Sequence, residues 1–348
     1  MQCGSSARRH SGESIVTLEL PALATRHYTT MVVPWNPQGE LDEAALRRLV
    51  RYFAGHPRFR ERGGIIANPD AGEIYYLTPA EKRRVLEITL EEVGGAFPVI
   101  AGVFDMTTAG CVREAGIAKA CGASGVFLMP PIGTGDLLIS WDPVRYPEYW
   151  LDQIQAIDAA VDLPIITHPV TARSPQWGIG IPGETARLIC ERVPNVIGWK
   201  MTYNYEGMRR MWRMLRELER PVSIMAASGH LFHEFLSHDL LDGSVSGSWN
   251  YALEPMMQHI DCHEAGDREG ERRIWREGGL LALHEYIYSD YARLHLRYKL
   301  ATWLHGVIPH YRMRPPLPRP KQAEIDTIHG LLKDCGMEVI DARLARAD

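Results

Sequence analysis

The chain has 348 residues, of which 45% are apolar and 23% are charged, and its net charge is -5. This is the composition of a folded globular protein, and the length allows one large α/β domain with an appendage or two medium domains. Because the chain has 38 basic and 43 acidic residues, the charge balance predicts neither a nucleic-acid partner nor attachment to an anionic membrane surface.

Cysteine usage and the N-terminal segment bear on the cellular compartment. The six cysteines contain no C-x-x-C pair, which favours reduced thiols in a chain too long to need disulfide staples. The first 19 residues are polar and lack the apolar stretch of a signal peptide, and the chain has no apolar run long enough to span a membrane. We therefore expect a cytoplasmic protein whose residues 1–25 form a flexible N-terminal arm.

Short apolar runs rich in β-branched residues alternate with longer stretches of helical periodicity from His27 onward, the pattern of βα units. The predicted strands are Tyr28–Val33, Gly64–Ala67, Pro98–Val103, Gly125–Met129, Pro164–Thr167, Val196–Lys200, Val222–Ala226 and Ser244–Gly247.

The segments between these strands carry helix start signals. Asp42 precedes an apolar stripe at 3–4 spacing, and Thr78-Pro79-Ala80-Glu81 is a capping box with proline at the first helical position. Thr107 or Thr108 is a candidate cap for the next helix. These signals predict one helix after each of the first three strands.

Eight βα units in roughly 225 residues match a (β/α)₈ TIM barrel better than an open doubly wound sheet. No G-x-G-x-x-G or G-x-x-x-x-G-K-[ST] motif is present, so nucleotide cofactors have no sequence support and we expect no cofactor. We predict a barrel domain at residues 26–250 and a C-terminal helical domain at residues 251–348.

In such barrels the reacting groups lie at the C-terminal ends of strands. Lys200 ends the sixth predicted strand, where alternation places Val196, Gly198 and Lys200 on one face and the bulky Ile197 and Trp199 on the other. A lysine facing the barrel would have a lowered pKa and could attack a carbonyl group as a neutral amine to form a Schiff base. The alternative is a structural lysine that reaches solvent or pairs with a carboxylate such as Asp70.

Several short motifs follow one another in a characteristic order: Val33-Pro34-Trp35, Gly72-Glu73, Pro98–Val103, Leu163–Ile166, Asn195–Lys200 and Gly243–Gly247 with Asn250. Over residues 27–335 this ordered set resembles the dihydrodipicolinate synthase and N-acetylneuraminate lyase family of class I aldolases. The resemblance implies a TIM barrel with C-terminal helices, a Schiff-base role for Lys200, and a homo-oligomer, either a dimer or a tetramer.

The chain departs from the family pattern at three points. The family's G-[ST]-[ST]-G-E reads Pro69-Asp70-Ala71-Gly72-Glu73, the tyrosine of its Y-N-V-P-like motif is replaced by His168, and the aromatic residue after strand four is missing from Pro130–Gly133. A hydroxyl relay is thus exchanged for a carboxylate and an imidazole. His168 could act as the acid/base with Asp70 orienting its ring, and the alternative is a vestigial site.

Substrate-binding positions follow from the same resemblance. The candidates are Ala71, Gly72, Ser246, Gly247, Trp249, and Arg173 as a carboxylate ligand with a solvated loop arginine as its alternative. Trp35, Tyr75, Tyr76, Trp177 and Trp249 could line an aromatic pocket or could equally be packed in the core. For Glu73 we expect support of its loop rather than substrate contact.

The sequence predicts a class I lyase that forms a lysine iminium with a 2-oxo acid or a related small carbonyl compound, followed by aldol chemistry or dehydration. Two alternatives remain: a barrel that binds a small carbonyl ligand without turnover, and a Schiff-base-independent enzyme that uses Asp70 and His168. Metal binding is not expected, because His230 and His233 lie three residues apart without an obvious third ligand.

Overall fold

A computed structural model describes residues 20–131, 141–341 and 345. Residues 1–19 of the predicted arm lie outside the described residues, as do Ile132 and Gly133. Residues 22–25, which we assigned to that arm, form a 3₁₀ turn in which Ala24 is buried and accepts a hydrogen bond from the Ser223 hydroxyl.

The described residues form a closed parallel barrel in which neighbouring strands along the chain are also neighbours in space. The barrel strands are β1 (His27–Thr30), β2 (Gly63–Ala67), β3 (Val99–Val103), β4 (Gly125–Leu128), β5 (Ile165–Thr167), β8 (Val196–Met201), β9 (Ser223–Ala226) and β10 (Gly243–Ser246). Strand β10 pairs with β1 and closes the barrel, so the predicted (β/α)₈ architecture is confirmed. A separate antiparallel hairpin, β6 (Val170–Ser174) and β7 (Gly178–Gly180), follows β5 and was not predicted.

Helices surround the barrel and continue beyond it. The barrel helices are α1 (Glu43–Gly55), α2 (Pro57–Arg62), α3 (Pro79–Val93), α4 (Thr108–Cys121), α5 (Glu148–Val161), α6 (Gly183–Arg192), α7 (Tyr205–Arg216) and α8 (Phe232–Ser237). The C-terminal helices are α9 (Leu253–Glu264), α10 (Arg268–Arg272), α11 (Leu280–Tyr288), α12 (Leu294–Leu304) and α13 (Gln322–Asp334). The division into two domains at residue 250 remains our proposal.

The predicted helix starts are confirmed by their hydrogen bonds. Asp42 accepts from the Ala45 amide at 2.9 Å, and Thr107 accepts from the Gly110 amide at 3.0 Å. Thr78 and Glu81 form the reciprocal capping box at the start of α3. Each cap satisfies an amide that the first helical turn leaves without a partner.

The apolar residues divide into two layers. A small cluster fills the barrel interior, and it includes Tyr28, Ile66, Ile100, Phe127, Ile166 and Met225. A much larger cluster fills the space between the strands and the helices. The interior cluster forms the floor beneath the C-terminal ends of the strands, where side chains can be held in fixed positions.

Most of the predicted strand ends are shifted by one residue, and two strands differ from the prediction more substantially. Strand β1 ends at Thr30 rather than Val33, because the Val32 amide donates to the Asn250 side chain at 3.1 Å instead of to a neighbouring strand. In β8 the prediction that Val196 lies on the same face as Lys200 was wrong, since Val196 packs in the outer layer. The register shifts opposite Ile197, so that regular alternation begins only at Gly198, which faces the barrel interior.

Candidate functional site

A cavity of about 240 Å³ opens at the C-terminal ends of the barrel strands, and helices α11 and α12 cover part of it. Its lining includes the three predicted catalytic residues, Asp70, His168 and Lys200. It also includes hydroxyl side chains from two barrel strands, adjoining loops and the C-terminal region: Thr30, Thr202, Ser228, Ser246, Tyr288, Tyr291 and Tyr298. The structure therefore brings the predicted reacting groups together in one cavity.

Lys200 extends from β8 into this cavity. Its Nζ lies 3.2 Å from His168 Nε2, 3.9 Å from Asp70 Oδ1, and 5.4 Å from the centre of the Phe127 ring. Burial lowers the pKa of the Lys200 amine, and the charge of Asp70 opposes that shift. Next to it, Trp199 points outward and its ring packs against Trp150 of α5, as the predicted alternation requires.

His168 follows β5 and stacks on Phe127, with ring centres 5.4 Å apart. Burial lowers the pKa of His168 to about 3, and the neighbouring Asp70 opposes this only in part, so the imidazole is neutral near pH 7. If Lys200 donates to Nε2, the ring proton is on Nδ1, which faces Asp70 Oδ2 at 3.5 Å. His168 can then accept a proton on the nitrogen that faces the lysine.

Asp70 begins a 3₁₀ turn, Asp70–Gly72, that places its carboxylate between three basic groups. Burial alone would raise the pKa of Asp70, but His168, Lys200 and His295 outweigh burial and hold it well below its usual range. The Oδ1 atom has no hydrogen-bond partner among the described residues. Asp70 is thus a buried carboxylate with unused acceptor capacity.

His295 is a site residue that sequence reasoning missed. It lies on α12, and its Nε2 is 3.1 Å from Asp70 Oδ2. Tyr288 and Tyr298 also reach the cavity from the C-terminal helices. A signal was present, since His295 and Tyr298 are three residues apart in a stretch of helical periodicity, which puts them on one face.

Ser246 and Gly247 lie on the cavity wall, in agreement with the predicted location. The Ser246 hydroxyl is within hydrogen-bond distance of the Tyr288 hydroxyl, at 3.0 Å. A Cβ atom at Gly247 would come within 2.1 Å of the Tyr298 ring, so glycine permits this ring to lie against the wall.

Three other predicted binding residues are not part of the cavity lining. Ala71 is buried in the outer apolar layer. Gly72 packs closely against the residues that follow β1, where a Cβ atom would lie 2.8 Å from the Met31 carbonyl oxygen. Arg173 is exposed on β6. The extended β6 and β7 hairpin carries this arginine to the outer rim instead of into the cavity.

Of the two alternatives left open for the aromatic set, core packing applies to its three tryptophans. Trp249 is fully buried in the outer layer, where its ring packs against His27 and Phe232. The turn that follows β10 directs this ring away from the cavity. Trp35 and Trp177 are also packed outside it, and only Tyr75 of the predicted aromatic set lies on the cavity wall.

Glu73 has the structural role that we expected. Its side chain is completely buried, where it accepts hydrogen bonds from Lys299 Nζ, from Trp35 Nε1 at 3.0 Å and from the Arg314 amide at 2.9 Å. It therefore ties the loop after β2 to α12 and to the segment that follows α12.

His233 has neighbours that the sequence spacing did not reveal. His259 and Glu271 lie beside it, and the three could offer metal-ligand atoms within 4.8 Å of one another. The group is outside the cavity and is held by its own hydrogen bonds: His233 Nδ1 to His259 Nε2 at 2.9 Å, and Glu271 to His263 and Arg268 at 2.9 Å each.

Two further predictions concern the described residues as a whole. Cys111, Cys121, Cys190, Cys262 and Cys335 are free thiols. Among the described helices, none has both the length and the apolar character needed to cross a bilayer.

Comparison with known proteins gives a consistent result at the level of sequence. The model of the "Dihydrodipicolinate synthetase family" matches residues 24–335. The 4-hydroxy-tetrahydrodipicolinate synthase of Methanopyrus kandleri is 27% identical over 76% of this chain and 80% of its own length. The Protochlamydia amoebophila synthase of the same name is 30% identical over 50% of this chain, and the match spans 53% of that relative. A Bradyrhizobium protein named probable 5-dehydro-4-deoxyglucarate dehydratase is 30% identical over 49% of this chain and 48% of its own length.

Solved structures share the fold. Dihydrodipicolinate synthase from Aquifex aeolicus superposes with a TM-score of 0.74 at 20% identity, covering 91% of this chain and all of the other. A prophage protein of E. coli from the dihydrodipicolinic acid synthase family, solved in complex with pyruvate, superposes with a TM-score of 0.76 at 15% identity, with the same coverage. The sequence relatives carry the names of lyase-type enzymes, so the prediction of a lyase-type enzyme is confirmed at the level of the family. Because the family model spans most of its length, the chain belongs to the dihydrodipicolinate synthetase family.

Proposed function

We propose that this protein is a class I lyase that forms a Schiff base between Lys200 and a 2-oxo acid or related carbonyl compound. The observation that supports this most directly is the position of the Lys200 amine. It is buried in the cavity, within 3.2 Å of an imidazole nitrogen and 3.9 Å of a carboxylate oxygen. A nucleophilic amine requires a lowered pKa and an adjacent base, and both are present here.

The proton transfers can be assigned to His168. It takes a proton from the lysine ammonium, and the free amine then adds to the carbonyl carbon to form the C–N bond. His168 next carries protons from nitrogen to oxygen, so that the oxygen leaves as water and a protonated iminium remains. The lysine nitrogen bears one positive charge before and after these steps, and Asp70 stays ionised throughout.

The iminium can then act as an electron sink for either of two outcomes. Electrons from a breaking C–C bond, or from a C–H bond during loss of a neighbouring hydroxyl, flow toward the positive nitrogen. The first outcome is aldol cleavage, whose reverse is condensation, and the second is dehydration. The relatives named as a synthase and as a dehydratase support this pair of outcomes for the present chain.

Reductive trapping tests the proposal. The protein is incubated with pyruvate and a panel of larger 2-oxo acids and simple ketones, reduced with cyanoborohydride, and analysed by intact mass and peptide mapping. We expect one adduct per chain on Lys200 with at least one compound, and none on Lys200→Ala. Absence of an adduct from the whole panel, in protein shown to be folded, would contradict the Schiff-base mechanism.

The contact between Asp70 and His168 supports a second candidate, an acid/base enzyme that forms no Schiff base. His168 Nδ1 faces Asp70 Oδ2 at 3.5 Å, and His295 holds the same oxygen, so the imidazole could act alone as a general base. Turnover that survives in Lys200→Ala would favour this candidate.

We also propose that the chain assembles as a homodimer or homotetramer in the cytoplasm. The proposal rests on the family relationship rather than on any contact between chains. Mass photometry at nanomolar concentration tests it, and a species of a single chain's mass would contradict it.

A further inference from the structure

The charge on Asp70 restricts which carbonyl compounds can bind beside Lys200. Asp70 lines the cavity, and its Oδ1, which is itself buried, is 3.9 Å from Lys200 Nζ and has no hydrogen-bond partner among the described residues. Its other oxygen is held by His295 at 3.1 Å. A fixed negative charge therefore faces the position where the substrate's carbonyl carbon must lie.

A 2-oxo acid would bring a second negative charge to the same place. In the iminium of such an acid, the carboxylate is attached to the carbon that is bonded to Lys200 Nζ. Its oxygens then lie among the nearest neighbours of that nitrogen, as Asp70 Oδ1 already does. Two carboxylates that share one cation repel each other, and the repulsion is strong where solvent is largely excluded.

The described cavity lining offers little to offset that repulsion. Apart from Lys200, its basic groups are the imidazoles of His168 and His295, and both face Asp70. Arg173, the cation expected from the resemblance, is exposed outside this lining. The hydroxyl groups of the cavity wall are neutral and suit the hydroxyls of a substrate.

We propose that the carbonyl substrate of this site is an uncharged, hydroxylated aldehyde or ketone, and that Asp70 takes the place of a substrate carboxylate as counter-ion of the Lys200 iminium. This inference rests on the Schiff-base function proposed above. Asp70 Oδ1 accepts the hydrogen bond of the iminium N–H once the adduct has formed, which satisfies its unused acceptor capacity.

A matched pair of probes isolates the charge. Hydroxyacetone and pyruvate have the same three-carbon skeleton, and they differ in a hydroxymethyl group against a carboxylate. Each is titrated into the protein at pH 7.5 with cyanoborohydride, and the fraction of Lys200 that is reduced to an adduct is mapped at each concentration. We expect hydroxyacetone to reach half-labelling at a concentration at least tenfold below that of pyruvate.

The variant Asp70→Asn tests the cause of that preference. It keeps the size of the side chain and removes its charge. The half-labelling concentration of pyruvate divided by that of hydroxyacetone should therefore fall at least threefold. Asp152→Asn, on the exposed side of α5, makes the same charge change away from the cavity and should leave the ratio unchanged.

The outcomes separate the two proposals. Pyruvate that labels wild-type Lys200 as readily as hydroxyacetone would overturn this inference while leaving the Schiff-base function in place. A preference for hydroxyacetone that is the same in Asp70→Asn would overturn the role of Asp70. Absence of any adduct from either probe or from the wider panel, in folded protein, would overturn both proposals. The wild-type comparison needs no variant to fold.

Discussion

Lys200 with Asp70 and Lys299 with Glu73 are both buried pairs of a lysine and a carboxylate, but their surroundings differ. The side chains of Lys299 and Glu73 are completely inaccessible, and the pair has further partners in Trp35, Arg312 and Arg314. Lys200 and Asp70 are separated by 3.9 Å, retain small exposures of 8% and 10%, and border a cavity. Burial lowers the pKa of both lysines, so burial alone does not distinguish them.

The difference between the two pairs is one of unused hydrogen-bond capacity. Glu73 accepts hydrogen bonds on both carboxylate oxygens, whereas Asp70 Oδ1 has no partner among the described residues. A buried polar atom without a partner is costly, so it is retained where a ligand can supply the missing partner. We therefore place chemistry at Lys200 and a structural role at Lys299.

The largest expected effect comes from removing each lysine in turn. Lys200→Met should abolish adduct formation with hydroxyacetone and change the free energy of unfolding by less than about 2 kcal/mol, because solvent in the cavity can reach Asp70. Lys299→Met should destabilise the fold by about 3–5 kcal/mol, because it leaves Glu73 buried and unpaired, while folded molecules still label at Lys200. Urea unfolding and adduct mapping on both variants check this, and the reverse pattern would contradict our assignment.

His168→Gln should have the next largest effect. Glutamine can keep a hydrogen bond to Lys200 but cannot accept and return a proton, so the rate of adduct formation should fall by roughly 10²–10⁴-fold. The rate is measured with hydroxyacetone under saturating cyanoborohydride. A rate within threefold of wild type, at unchanged thermal stability, would remove His168 from the proposed proton transfers.

Acid should weaken the fold before it titrates the carboxylates. Burial lowers the pKa of His27, His168 and His284 to about 3 and of His259 to about 4. Between these values and about 6.5 the unfolded chain binds more protons than the folded chain, so stability falls as the pH drops through this window. We expect about 2 kcal/mol per histidine to be lost at pH 5 relative to neutral pH. Equal urea midpoints at pH 7 and pH 5 would contradict this.

The smallest effect is expected from His295→Asn. His295 is a positioning residue that holds Asp70 Oδ2 and helps to lower the pKa of that carboxyl group. The variant should slow adduct formation by up to about tenfold and move the acid limb of its pH profile to higher pH, because the pKa of Asp70 rises. A slower rate with an unmoved profile would indicate a merely structural contribution.

The sequence predicted the barrel and the three central site residues because these depend on local patterns. Lys200 and His168 lie at or just beyond strand ends, and Asp70 lies in the turn after a strand, so parallel strands bring all three to one end of the barrel. His295 was missed because it depends on how α12 packs across the barrel mouth. Nearly all of α12 is buried, including Arg297, Lys299 and Thr302, so polarity in its sequence does not distinguish the face at the cavity from the rest of the helix.

The incorrect predictions have similar causes. Trp249 was assigned to the cavity from its position after the last strand, but the 3₁₀ turn Gly247–Asn250 rotates its side chain into the outer layer. Arg173 was placed by the family resemblance, with a solvated loop arginine as its alternative, and on the β6 and β7 hairpin it is exposed, as in that alternative. Turn geometry and insertions change the direction of a side chain without leaving a periodic signal.

The most direct test of the contrast between the two lysines is their reactivity as amines. The folded protein is treated with dilute formaldehyde and cyanoborohydride at a series of pH values, and the methylation of each lysine is followed by peptide mapping. We predict that Lys200 is methylated near neutral pH faster than any other lysine, including Lys333, and that Lys299 stays unmodified until the protein unfolds. Methylation of Lys200 no faster than that of Lys333, or labelling of Lys299 in the folded state, would contradict the account.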